Sequence, residues 1–490
     1  MAKPLSILYV TNEAYPFSRE GETADISYSF ALSERAIGHD IRIMTPKYGG
    51  ISERKNKIHE INRLRDVPIP VGENSFPATV KSSSVNSPRY KVQAYVTTSA
   101  PVFDAQKGFY SDPKTYEPFV NNAERFAFFA RSVVQTCVIL GWFPDIIHCN
   151  NWQTGLVPMM ARLLFPAKFK KTKFVFSFNK FHEHGSFPNA AFPLTGMPAQ
   201  TAETIKYKNH INFLKAGIVY SNYVSCYSEN YAPIALSERK SGALSQELKA
   251  KEGAFKGVTI GLDEWQWNAA HDELLVHNYD SDFQDFKYNN KVAILRECGL
   301  TYDPKAPLLI CPFSQEEFAG WELILDNLSG FIKENFRLVV YGKIPPAMAE
   351  KFNAKAAKHP TKLAVKLEPD ESFTHRIIAG ADASINAREV ESTAYRAKTA
   401  LVYGALPIAR LYGANLDACE QVSPELRSGN CFGFKKYTGE EFVSAVKAAL
   451  SAYKNRELWN ELSQRAFDGD YTWGASAEQF DEIYRSIVKD

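Results

Sequence analysis

Short apolar runs recur along this chain with an amphipathic stretch between successive runs, and that alternation commits it to a layered α/β fold. In the first half the runs are "SILYV", "DIRIMT", "PDIIHC", "KFVFSF" and "YVSCYS"; in the second they are "PLLICPF", "RLVVYG", "LAVKLE", "ASIN" and "ALPIAR". Apolar strands alternating with helices read as βαβ units that build a parallel sheet. Among the helices, "NNAERFAFFARSVVQTCVIL" repeats Phe126, Phe129, Ala130 and Val133 at helical spacing. The tail "YTWGASAEQFDEIYRSIVKD" reads as a terminal amphipathic helix.

At 490 residues the chain is too long for one core, so two domains are expected. The polar, acidic stretch "AAHDELLVHNYDSDFQDFKYNNK" interrupts the strand pattern. It places a first Rossmann-like domain at residues 1–267, an interdomain segment at 268–306 and a second Rossmann-like domain at 307–465.

Charge and cysteine content exclude several classes. A net charge of +2 argues against nonspecific binding to nucleic acid or to an acidic membrane surface, though local basic patches remain open. No run approaches the roughly 20 apolar residues of a membrane span, and "MAKPLSILYV" reads as a strand, not a secretory signal. Seven scattered cysteines, none in a CxxC pair, fit free thiols in a reducing cytoplasm and neither a disulfide framework nor a metal site.

The stretch "SREGETADIS" follows the first strand and opens a helix, the place where many α/β proteins cradle a phosphate on backbone amides. Two acids, Glu20 and Glu22, stand in it.

"NEAYPFSREGETADI" resembles the opening of bacterial glycogen synthases and plant starch synthases. The likeness continues through "NNAERF", "PDIIHCNNWQTGLVP", "INFLKAGIVYSNYVSCYSENYA", "GLDEWQWNAAHD", "HRIIAGAD", "YGALPIAR" and "DYTWGASAEQF", in family order from residue 5 to about residue 485. The resemblance implies the GT-B arrangement, two Rossmann-like doubly wound domains facing across a cleft, with residues 466–490 crossing back to the first. It implies transfer of glucose from ADP-glucose to an α-1,4-glucan with retention, without a metal or other cofactor.

Against that pattern the functional positions are altered. Where the family sets a lysine and two glycines against the donor phosphates, this chain has Arg19, Gly21 and Glu22. A glutamate there removes the close backbone approach and repels a diphosphate. The acceptor-side motif keeps Trp152 and Gln153 but has Asn151 for an aspartate, and the family's sugar-positioning histidine is Asn179, with His182 and His184 nearby. Asparagine donates a hydrogen bond but carries no charge. The arginine and lysine that steady the departing diphosphate are Ser314 and Ala319. Losing two charge-assisted bonds removes on the order of 3–6 kcal/mol from the transition state.

Pro369 stands where a tyrosine stacks on adenine, and Ile260 stands where a polar residue precedes Asp263 by three positions. Glu391 matches the glutamate that holds sugar hydroxyls, while Ala394 and Arg396 replace a glycine and a threonine. The expectation is a glycogen-synthase-like pseudoenzyme that binds α-glucan or a protein partner. The alternative is an active transferase, with a nucleotide sugar as partner, built on Arg19, Glu391, Arg396 and Arg410. Trp265, Trp267, Trp321 and Tyr412 are candidate sugar-stacking faces.

Overall fold

A computed structural model describes residues 3–181, 185–242, 244–313 and 320–488. The chain divides into two compact units, one of residues 1–260 with 473–490 and one of residues 261–472.

The first unit is built on a parallel sheet. Its strands are β1 (Ser6–Val10), β2 (Asp40–Pro46), β3 (Lys91–Thr98), β4 (Ile146–Asn150), β5 (Lys173–Phe178), β6 (Tyr223–Cys226) and β7 (Phe255–Gly257). They run in the order β7-β6-β5-β4-β1-β2-β3, all parallel. Beyond β3 the antiparallel strand Asn74–Asn86 extends the sheet. β4 and β5 are buried almost throughout, which is why their sequences read as unbroken apolar runs.

Helices α1 (Glu22–Ala36), α2 (Asn122–Leu140) and α3 (Phe213–Tyr220) cover this sheet. The Asn212 side chain caps α3 by accepting from the Lys215 amide. A Cβ on Gly217 of α3 would lie 2.4 Å from the Phe176 ring, so helix and sheet meet closely only because that residue is glycine. The terminal helix α4 (Gly474–Val488) belongs to this unit and is tied in by His148 Nδ1 to Tyr484 Oη (2.6 Å) and by Ser476 Oγ to the Thr259 carbonyl (2.6 Å).

The second unit carries six parallel strands: β8 (Leu308–Phe313), β9 (Arg337–Gly342), β10 (Leu363–Leu367), β11 (Ala383–Asn386), β12 (Leu406–Arg410) and β13 (Phe432–Phe434). Their order is β10-β9-β8-β11-β12-β13. All ten apolar runs read from the sequence are strands.

Residues 268–306, set out above as an interdomain segment, pack within the second unit. They contain a helix, Phe283–Glu297, which Asp282 caps by accepting from the amides of Gln284 and Asp285. Its Lys287 is buried and donates to the carbonyls of Ala379, Ala381 and Tyr403 at 2.6–2.9 Å. Polar residues there satisfy backbone ends inside the unit; they do not mark a linker.

Candidate functional site

In the first unit the candidate residues gather at the carboxyl ends of β1, β4 and β5, where ligands sit in open α/β sheets. Glu13, three residues beyond β1, is buried. Its Oε2 accepts from the backbone amides of Glu20 (2.6 Å) and Gly21 (3.2 Å), and its Oε1 accepts from Tyr110 Oη (2.6 Å) and Asn12 Nδ2 (3.3 Å). The turn that opens α1 thus spends two amides on a carboxylate of its own chain. Burial pushes the Glu13 carboxyl up to about 7, against the pull of Tyr110 and the two amides.

Gly21 is the N-cap residue of α1, and a Cβ there would meet nothing within 4 Å. The protein alone therefore does not require glycine at that place. Arg19 pairs with buried Asp25 at 2.7 Å. Glu22 begins the helix and is half-buried.

A neutral network links the other candidates. Asn151 has φ +64 and ψ 168, a sparsely populated conformation that costs about 1–3 kcal/mol and that tertiary contacts must hold. Its Oδ1 accepts from the Asn179 amide (2.9 Å), and its Nδ2 reaches Asn12 (3.3 Å) and Thr23 (3.4 Å). Asn179 Nδ2 donates to Thr23 Oγ1 (2.9 Å). Asn179 Oδ1 and Gln153 Oε1 are buried acceptors with no partner among the described residues. Trp152 packs edge-on against Phe126 and Phe187, and Ile260 is buried. His182 and His184 lie outside the described residues.

His148, which begins the motif containing Asn151, is structural. Tyr484 and Ser177 hold its two ring nitrogens, and burial lowers its pKa to about 3.

In the second unit Glu391 follows β11 and is almost wholly buried. Arg388 Nη1 donates to its Oε2 at 3.2 Å, with the guanidinium also buried, while Oε1 has no partner among the described residues. The Glu391 carbonyl accepts from the Ala414 amide at 2.9 Å and fixes the loop beside Gly413. Ala394 is buried at the N-cap of the helix Tyr395–Leu401. Arg396 Nη1 donates to the Pro312 carbonyl at 2.9 Å, at the end of β8. Arg410 spends its guanidinium on the carbonyls of Lys435 and Glu389 and lies over the Tyr412 ring.

Pro369 is partly buried beside Asp370, the N-cap of helix Glu371–Gly380. Asp263 Oδ1 accepts from the amides of Trp265 (3.0 Å) and Gln266 (2.8 Å), which closes a turn. Ser314 and Ala319 lie outside the described residues. Gly320 beyond them has φ +81, and a Cβ there would sit 1.9 Å from the Ala387 carbonyl oxygen, so only glycine fits.

Trp267 is a core residue, not an exposed sugar face. It stacks on His375 at 4.1 Å and donates to Tyr395 Oη, while Asp272 holds His375 Nδ1 at 2.7 Å. Among the described residues no cluster of His, Cys, Asp and Glu could hold a metal, and no helix is long and apolar enough to cross a membrane.

Comparison with known proteins decides the family. Residues 6–250 match the starch synthase catalytic domain. The glycogen synthase of Chlorobaculum parvum is 33% identical over 485 residues, 98% of each chain, and that of Chlorobaculum tepidum is 30% identical with the same coverage. The chain belongs to the glycogen and starch synthase family. Among solved structures, the catalytic domain of starch synthase IV from Arabidopsis thaliana, bound to ADP and acarbose, matches all of both chains with a TM-score of 0.90 at 22% identity. A sucrose-phosphate synthase from Thermosynechococcus elongatus matches 99% of both chains at 0.60 and 13%. The fold is therefore the GT-B fold of this synthase family.

Sequence reasoning singled out neither Glu13 nor the pairing of Arg388 with Glu391. An acid directly beyond the first strand was the available signal for Glu13. For Arg388 it was a cation three residues before the one retained acid.

Proposed function

We propose that this chain is a glycogen-synthase homologue whose donor site is engaged by its own side chains, and that it binds α-glucan with little or no glucosyl transfer. In this reading residues 1–260 with 473–490 form the acceptor side and residues 261–472 the donor side. The observation that carries it is the buried Arg388–Glu391 pair. A carboxylate meant for sugar hydroxyls is held by an internal guanidinium, and a buried pair of this kind is costly to separate.

Further support comes from the first unit. The amides of Glu20 and Gly21 face the Glu13 carboxylate, and Arg19 is committed to Asp25. An incoming diphosphate would have to displace the Glu13 carboxyl group from those amides and take over an engaged cation. Positions 314 and 319 add no positive charge from Ser314 or Ala319. Asn179 Oδ1 and Gln153 Oε1, acceptors without partners among the described residues, suit the hydroxyl groups of a neutral glucan.

The test measures ADP-glucose turnover on glycogen alongside calorimetric binding of ADP and of a maltooligosaccharide. The expected result is oligosaccharide binding, no ADP binding below millimolar concentration, and turnover at least about 10²-fold below an ordinary synthase. Turnover at the ordinary rate overturns the proposal. A second reading, an active transferase, draws on Glu391 Oε1, which has no partner among the described residues. It predicts that ADP-, UDP- or GDP-glucose raises the melting point.

A further inference from the structure

At the opposite end of the first unit's sheet lies a recess of about 280 Å3, half open to solvent, whose charged lining is entirely cationic. Arg162, from helix Leu156–Leu164, Lys170, from the loop before β5, and Lys173, the first residue of β5, converge on it. They come from the run "RLLFPAKFKKTK", which no part of the proposed function uses. Asn151 and Asn179 stand at the carboxyl ends of β4 and β5. This recess stands at the amino ends, roughly 20 Å away along a six-residue strand.

The recess is partly preorganised. Arg162 Nε donates to the Tyr220 carbonyl (2.8 Å), its Nη2 donates to Asn222 Oδ1 (2.6 Å), and its guanidinium lies over the Phe174 ring at 5.1 Å. These bonds fix the guanidinium plane and leave the Nη1 hydrogens for a ligand. Lys251 is held close by on the carbonyls of Val219 (3.1 Å) and Ser221 (2.6 Å). Arg162 and Lys251 thereby satisfy the last carbonyls of α3, while Lys170 and Lys173 are left without a carboxylate partner among the described residues. Glu247 pairs with Lys215 at 2.8 Å, and the Asp145 carboxylate accepts from the amide and hydroxyl of Ser6.

Unneutralised cations on a molecule of net charge only +2 concentrate positive potential at one concave place. A guanidinium fork with two flanking ammonium groups matches a tetrahedral dianion. The volume lies just under that of ordinary small-molecule sites, too small for a nucleic-acid strand and adequate for one phosphorylated ring.

We propose that this recess binds a phosphate dianion, free or carried as a monoester on a sugar, at a site separate from the glucan-binding residues. The cations grip the phosphate, and Phe169 with Asn222 forms the remaining wall.

Calorimetry on the full chain at low salt, with inorganic phosphate, glucose 1-phosphate and glucose as probes, tests it. Saturable binding of phosphate or glucose 1-phosphate with Kd below about 1 mM is expected, weakened at least tenfold in Lys170→Glu/Lys173→Glu and by raising salt to 0.5 M. Equal affinity for both probes assigns the site to phosphate itself, and tighter binding of the ester assigns it to a sugar phosphate. Both results support the proposal. Absence of saturable binding, or unchanged binding in a double variant whose melting point matches the parent, overturns it. Because the variant lies at the opposite end of the sheet from Asn179 and in a different unit from Glu391, failure here leaves the proposed function standing, and the reverse also holds.

Discussion

A charged side chain has no fixed meaning until its neighbours are known, and Glu13 and Arg388 show this at the scale of single residues. Burial favours the neutral form of Glu13 in the folded chain and outweighs the donors around it, raising its pKa from 4.5 to about 7. The folded state then holds a proton that the unfolded chain gives up between those values. Its share of stability is present below about pH 4.5 and declines as pH rises towards 7, by on the order of 3 kcal/mol. Glu13→Gln is expected to remove that slope, measured as denaturant midpoints from pH 4 to 8. Arg388→Ala leaves a buried carboxylate without its cation and is expected to cost about 3–5 kcal/mol. Arg388→Ser in a chain that also carries Glu22→Gly, Ser314→Arg and Ala319→Lys is the corresponding gain-of-function test, read as ADP released per glucose added. A larger rate than the parent is the expected sign that internal pairing limits the site.

Elements were the most legible level. Ten of the parallel strands announced themselves because both faces are covered, which favours continuous apolar sequence. Lys91–Thr98, whose first half alternates exposed and buried residues, and the three-residue strands Phe255–Gly257 and Phe432–Phe434 were not read. Strand Asn74–Asn86 was not read, since its serine-rich half is only partly covered and carries no such run. The helix Phe283–Glu297 was hidden by its own buried polar residues. Lys287 is the case in point: its ammonium satisfies three carbonyls at once, including those closing helix Glu371–Gly380. Lys287→Met strands those carbonyls and is expected to cost about 3 kcal/mol or more by chemical denaturation. In α4, Tyr484→Phe leaves His148 Nδ1 unsatisfied, at about 1–3 kcal/mol. His148 is lowered to about 3 by burial, so the unfolded chain binds the extra proton below its ordinary 6.5. That contribution is complete above pH 6.5 and falls away as pH drops towards 3.

At the scale of the whole molecule, the chain enters the second unit after Ile260 and leaves it after Thr472. The second unit is thus one continuous segment with its own six-stranded sheet and a core running from Leu309 to Ala466. Residues 261–472 expressed alone are expected to fold, with cooperative thermal melting by circular dichroism. The first unit is discontinuous, and residues 1–260 without the tail lose the partners of His148, His39 and Thr259. That fragment is expected to melt at least 10 °C below the same fragment supplied with residues 473–490 in trans, a loss of two or more satisfied buried groups.

Sequence by itself determined the fold class, the ten principal strands, the terminal helix and the family, because apolar periodicity and long motifs are local properties of the chain. It also located most candidate positions, from Arg19 to Arg396, by comparison with a family pattern. Only the tertiary structure decided what those positions face. Glu13 reaches turn amides seven and eight residues away, Tyr110 comes from a distant loop, and Arg388 folds back on Glu391. Whether a carboxylate awaits a ligand or has already found one depends on donors within about 3 Å in a water-poor interior, and chain order does not encode that distance.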